Sequence, residues 1–263
     1  MILDQFKSAL PLDDVLVIDC HGHLGNWQHV HMPKNTVEHI IETMDYLGVD
    51  RLCLSHFLGC LIDCPGGNDL LAEAVGQYPD RFIGQITINP NCPDEILPEL
   101  DRCRNRHGMR LAKLHPVFHD QPVDGKGYEA FWRYAEEMDM IVLVHTWESD
   151  SNCGPELFGR VAREHPRAKI ILAHAGVTQK GCQQAISTTK KHDNLYLDTA
   201  SSQPHLGMIE RFVREVGADR VLFGSDIPLL EPAAQLGRIA YARIKESVKE
   251  KILGLNMQGL LGK

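Results

Sequence analysis

Val17-Ile18-Asp19-Cys20-His21-Gly22-His23 is the stretch on which the reading of the fold turns. A short apolar run closes on two histidines spaced two apart. Side chains alternate along a β-strand, so His21 and His23 point to one side and can reach one ion. A lone His-x-His is a weak sign. It gains weight because further apolar runs close on titratable side chains. Arg51–Ser55 ends at Ser55-His56, and Met109–Leu114 carries Lys113 and runs into His115. Ile141–Val144 ends at His145, Lys169–Ala173 at His174, and Arg220–Phe223 at Gly224-Ser225-Asp226. With Val15–Cys20, Arg81–Ile88 and Asn194–Asp198 these make eight strand candidates. They are rich in Val, Ile and Leu without clean alternation, as strands buried on both faces should be.

Between them lie the helix candidates Thr36–Leu47, Asp69–Gln77, Pro93–Arg106, Tyr128–Met138, Pro155–Glu164, Lys180–His192, Leu206–Glu215 and Glu231–Ser247, with a last segment near Lys249–Leu261. Asn68 and Asp69 suit a helix start, and Gly48 and Gly217 suit a left-handed helix end. Gly66-Gly67 reads as a turn. Eight strand-then-helix units of about 30 residues predict an α/β fold of the (β/α)8 TIM-barrel type, with residues 1–263 forming one domain. Reacting groups then belong at the mouth formed by the strand C-termini.

The 263 residues carry 27 Lys+Arg against 35 Asp+Glu, a formal net charge of −8, which argues against nucleic acid or an anionic membrane surface as the main partner. A small molecule is the expected partner. No secretory pattern and no long apolar run is visible, so a cytoplasmic setting is expected. The eight cysteines are then expected to be free thiols; Cys60 and Cys64, close together in a loop-like stretch, lack a second pair for a zinc site. The 14 histidines are the distinctive feature. His29, His31, His39, His107, His165, His192 and His205 fall away from strand ends and read as surface or satisfied side chains.

His145 and Asp226 could complete the shell begun by His21 and His23. Three neutral imidazoles and one carboxylate suit a single divalent ion, Zn²⁺ first, with Mn²⁺, Fe²⁺ or Co²⁺ as alternatives. Trp27, Phe57, Phe118, Tyr128 and Trp147 lie in or beside the expected loops and could stack on an unsaturated ring. Lys113, His56, His115 and His119 could meet a carboxylate. The expected substrate is therefore a small organic anion.

The stretches Val17–His23, Tyr78–Gly84, Ala112–Pro116, Leu143–Thr146, Leu172–Gly176 and Leu222–Pro228 resemble the amidohydrolase superfamily, nearly end to end. The likeness is to the amidohydrolase-related branch, which includes mononuclear hydrolases and decarboxylases of the aminocarboxymuconate semialdehyde and benzoate types. The resemblance implies a distorted (β/α)8 barrel with His21, His23, His145 and Asp226 as metal ligands. It also implies His174 as an acid/base group beside the metal, Lys113 without a second metal, and allows a homodimer. A bound metal lowers the pKa of water to about 7, which Asp226 and His174 could assist, so hydrolysis of an ester, lactone or amide is the leading expectation. The chain is close to a bare barrel, without the inserted segments usual in the branch's decarboxylases. Decarboxylation on the same ligands is the alternative. A non-catalytic metal- or ligand-binding barrel ranks lower, and so does a nuclease of the related deoxyribonuclease type, which expects a Glu at the fourth strand end.

Overall fold

The computed structural model describes residues 1–9 and 11–262. Its eight strands are β1 (Ile18–Leu24), β2 (Arg51–His56), β3 (Phe82–Thr87), β4 (Leu111–Leu114), β5 (Ile141–His145), β6 (Lys169–Ala173), β7 (Leu195–Asp198) and β8 (Val221–Leu222). Each pairs in parallel with the next in chain order. The ring closes where the chain after β8 meets β1. Cys20 N donates to Phe223 O at 2.9 Å, His23 N to Ile227 O at 2.7 Å, and Asp226 N to His21 O at 2.8 Å. This is the TIM-type barrel expected, and its closure ties the His-x-His strand to the segment that carries Asp226.

Two cores explain the unbroken apolar runs. Ile141 and Leu143 face the barrel interior with Leu111, Ile171, Ala173 and Leu222. The alternate residues Val142, Val144, Ile170 and Leu172 face outward, into the layer beneath the helices. Both sides of each strand are buried, so both parities are apolar. The helix Val37–Leu47 shows how the outer layer forms: Ile40, Met44 and Leu47 bury one face, and Thr36 Oγ1 accepts from His39 N at its start. Gly48 ends it at φ 75°, the left-handed conformation that glycine adopts without strain.

Several boundaries differ from expectation. The first strand begins at Ile18 and runs through both histidines to Leu24. The helix expected from Asp69 starts at Cys64, because Asp63 caps it by accepting from Gly66 N at 3.0 Å. Asn68 is therefore no cap. It is buried in the helix, and its amide bonds the Thr87 backbone on β3 and the Glu99 carboxylate. Gly66-Gly67 forms a first helical turn, and a Cβ on Gly67 would strike the backbone of Gly59 in the neighbouring helix. Cys60 and Cys64 likewise lie in helices, as free thiols. The helix expected over Glu231–Ser247 is broken: it spans Pro232–Tyr241, Ala242 turns extended, and a new helix runs over Glu246–Glu250. Gly217 has φ 94° but ψ 148°, so it ends its helix in a glycine conformation other than the left-handed helical one. Among the described residues no helix is long and apolar enough to cross a membrane.

Candidate metal centre

A register shift in β1 between Asp19 and Gly22 sets the site. Ile18 and Cys20 face the interior, so simple alternation would turn His21 and His23 outward. The irregularity resets the parity. Gly22 now faces the outer layer, where a Cβ would lie 2.8 Å from Leu52 Cδ1, and both imidazoles turn in. Asp19 holds this kink by accepting from the backbone N–H of His21 and of Ser225, each at 3.0 Å. Burial pushes the Asp19 carboxyl up to about 7.

Three potential donor atoms converge at the mouth. His23 Nε2 lies 3.3 Å from His21 Nε2, and Asp226 Oδ1 lies 3.2 Å from His23 Nε2 and 3.4 Å from His21 Nε2. Asp226 Oδ1 is buried and has no hydrogen-bond partner among the described residues. A buried, unpartnered carboxylate oxygen facing two ring nitrogens is a donor set that fits a divalent cation. Burial would raise the Asp226 carboxyl, but His23 in contact and the nearby His174 and Lys113 together hold it below the usual range. Burial pushes His23 down, and it takes His21 well below the ordinary imidazole value with help from Lys113. Neutral imidazoles are the form that binds metal.

The far nitrogens of both rings are fixed. His21 Nδ1 lies 2.8 Å from Asp198 Oδ2, and His23 Nδ1 lies 2.8 Å from Ser55 Oγ. Asp198 closes β7 and also accepts from the backbone N–H of His174 (3.1 Å) and Ala200 (2.8 Å). Burial raises its carboxyl to about 7. Sequence reasoning passed over this residue, although a signal existed: Asp198 is the last residue of a predicted strand, the position that singled out the other site residues.

His145 stands at the end of β5, outside the tight His21–His23–Asp226 group. Its ring stacks on His115 at 4.1 Å and meets His174 edge-on at 5.0 Å, and His174 lies 4.8 Å from the His21 ring. A second set of possible donors, His21, His174 and Asp198, shares the His21 ring. Burial takes His145 well below the ordinary value and His174 to about 4. His174 and Asp226 both have φ 62°, uncommon for residues with a Cβ. Such a backbone costs about 1–3 kcal/mol and persists where surrounding contacts over-determine it. Lys113 extends from β4 with Nζ 3.0 Å from His21 Nε2, and burial lowers it.

Above the donors opens a pocket of about 490 Å³, lined by His23, Lys113, His115, His145, His174 and Asp226. Trp27, Phe57, Phe118 and Trp147 form aromatic walls. Phe57 stacks on His23 at 4.4 Å, and Phe118 lies parallel to His115 at 3.5 Å. Trp27 Nε1 and His115 Nδ1 are buried without partners among the described residues. Three expected contacts are placed elsewhere. His56 accepts from Leu58 N at the start of the helix Phe57–Leu61, with its ring against Gly25. Tyr128 is wholly buried with its hydroxyl 3.5 Å from His119 Nδ1, and neither residue lines the pocket.

The family model described as Amidohydrolase matches residues 18–262. The chain is 24% identical over 213 residues to the gamma-resorcylate decarboxylase of Rhizobium sp. (strain MTP-10005), an alignment covering 61% of this chain and 64% of that protein. The chain thus spans less than two thirds of that relative's length. A structure of 2,6-dihydroxybenzoate decarboxylase complexed with 2,6-dihydroxybenzoate aligns with a TM-score of 0.76 at 20% identity, covering 94% of this chain and 99% of that one. The dihydroxybenzoic acid decarboxylase of Polaromonas sp. JS666, with bound manganese and the inhibitor 2-nitroresorcinol, aligns at 0.73 with 19% identity, covering 94% and 96%. These relatives overturn the expectation of a metal-dependent hydrolase. The physical reason is that hydrolysis and decarboxylation draw on the same ligands, so strand-end residues alone could not separate them.

Proposed function

The chain belongs to the amidohydrolase family, and from that premise we propose that it is a metal-dependent, non-oxidative decarboxylase of a small aromatic acid. The observation that carries this reading is the pocket wall: Trp27, Phe57, Phe118 and Trp147 enclose a slot directly above His23 and Asp226. A flat ring fits between such walls, with its carboxylate turned toward the donors below. The relatives named for gamma-resorcylate and 2,6-dihydroxybenzoate point to a hydroxylated benzoate.

His21, His23 and Asp226 would hold one divalent ion, with His145 completing the set. The nitrogen-rich donors favour Zn²⁺, and the Mn²⁺ of the Polaromonas enzyme is the main competitor. When bound, the ion supplies a fixed positive charge that anchors substrate oxygens and draws electron density from the ring. Asp198 orients His21, and Ser55 orients His23. Lys113 adds positive charge beside the carboxylate, while Trp27 Nε1 and His115 Nδ1 offer hydrogen-bonding positions to a ring hydroxyl or carboxylate. Loss of CO₂ leaves an electron pair on the ring carbon, which must accept a proton. Asp226 and His174, both facing the slot, handle that proton.

The test is an assay of the metal-loaded protein on hydroxylated benzoates in D₂O. The expected result is CO₂ with one deuterium on the vacated ring carbon. Absence of CO₂ across the panel, with metal bound, would remove the proposal.

A further inference from the structure

The end of the barrel opposite the pocket carries a second cavity, of about 620 Å³. It is framed by strand starts: Arg51 opens β2, Arg110 precedes β4, and Lys169 opens β6. Arg104, from the helix Pro93–His107, joins them. Among the described residues, none of these four side chains makes a hydrogen bond or an ion pair, although most other arginines of the chain are paired. The acid on the rim, Asp139, lies 3.4 Å from Arg167 outside the cavity, and the lining His107 lies 3.6 Å from Asp69. Among the described residues these four cations around one hollow have no carboxylate within ion-pair distance, which is conspicuous in a chain of net charge −8. Arg104 lies in the last turn of its helix, where a cation complements the dipole. Arg51, Arg110 and Lys169 lie outside helices and have no such reason. The rest of the lining is apolar, with Met109 and Ile141 buried in it.

From this geometry we infer a second ligand site, at the barrel's N-terminal end, for a small organic anion that joins two or more negative charges to an apolar body. The guanidinium groups of Arg51, Arg104 and Arg110 offer planar forks that match the oxygens of a phosphate or carboxylate pair, and Lys169 adds a point charge. The half-buried Ile83, Met138, Leu260 and Leu261 cover the body. The site lies at the far end of the barrel from Asp226 and His145, so its ligand does not compete with one in the aromatic slot. It stands independently of the decarboxylase reading.

Calorimetric titration of the intact protein at low salt tests it, with three probes: 1-naphthyl phosphate, naphthalene-1,8-dicarboxylate and inorganic pyrophosphate. Binding is expected for at least one aromatic probe, more tightly than for pyrophosphate, and weakening as salt is added. Preference between the aromatic probes identifies phosphate or carboxylate as the source of charge. Arg51→Gln with Lys169→Gln is expected to raise Kd at least about tenfold, through the loss of charge-assisted contacts. Arg110→Glu, at an exposed position, provides the same test without demand on the core. The inference is overturned if no probe binds, if pyrophosphate binds as tightly as both aromatic probes, or if Kd is unmoved by Arg110→Glu and by the double variant.

Discussion

Asp198 Oδ2 lies 2.8 Å from Nδ1 of His21, with both side chains completely buried. That contact joins the end of β7 to the first strand, past the short β8 that lies between them. It sets the His21 ring so that Nε2 faces His23 and Asp226. Carboxylates behind metal-binding imidazoles fix their tautomer and raise their basicity. Asp198→Asn is therefore expected to lower metal affinity by about 10–100-fold while the fold persists. Competitive chelation with elemental analysis measures it, and unchanged affinity would deny Asp198 this part.

Gly224 sits behind the same pair. A Cβ there would run into Asp198 Oδ1 and lie 3.0 Å from His21 Cβ. Gly224→Ala should displace the Asp198–His21 contact and reduce bound metal at least as much as Asp198→Asn does. Metal content per chain after dialysis, compared with that of Asp198→Asn, checks the order.

Phe118 lies flat against His115 and tilts toward Trp27 at 5.6 Å. Replacement by leucine keeps an apolar wall but removes the aromatic face. For an aromatic substrate, Phe118→Leu is expected to raise KM about threefold to tenfold, with kcat and metal content nearly unchanged. A fall in kcat at constant KM would place Phe118 in the chemistry instead.

Acid should destabilise the metal-free protein. In the unfolded chain histidine takes up a proton near 6.5. Burial lowers His174 and His119 to about 4 in the fold, and takes His21, His115 and His145 well below their ordinary value. Over that interval the unfolded chain binds more protons, so stability is lost as pH falls from about 6.5 toward 4. Asp19 and Asp198, raised to about 7, gain protons in the fold and oppose this, but they are two groups against eight, since burial lowers His23, His56 and His165 as well. Tm of chelator-treated protein should fall from pH 7 to pH 5. A level or rising Tm would mean that the carboxyls prevail.

Much of this was readable because it is local. The eight apolar runs are legible as unbroken Val-, Ile- and Leu-rich stretches, and their strand-end positions single out His21, His23, His174 and Asp226 as candidates. Element boundaries were harder where a cap overruled composition, as when Asp63 started a helix five residues before the expected Asn68. His56 was misplaced because its ring serves its own backbone, accepting from Leu58 N. A side chain's choice between pocket and cap depends on rotamer and neighbours rather than on its position after a strand.

By itself the sequence determined the barrel and the kinds of groups at its mouth, since alternation, turn residues and chain order act over a few residues at a time. Tertiary structure decided what those groups do together. The register shift in β1 turned two imidazoles inward, barrel closure brought Asp226 against them, and Asp198 reached His21 from a strand 177 positions away in the chain. The aromatic slot and the cationic hollow at the far end have the same origin. Each assembles side chains from distant segments, and only packing sets the distances on which charge, coordination and stacking depend.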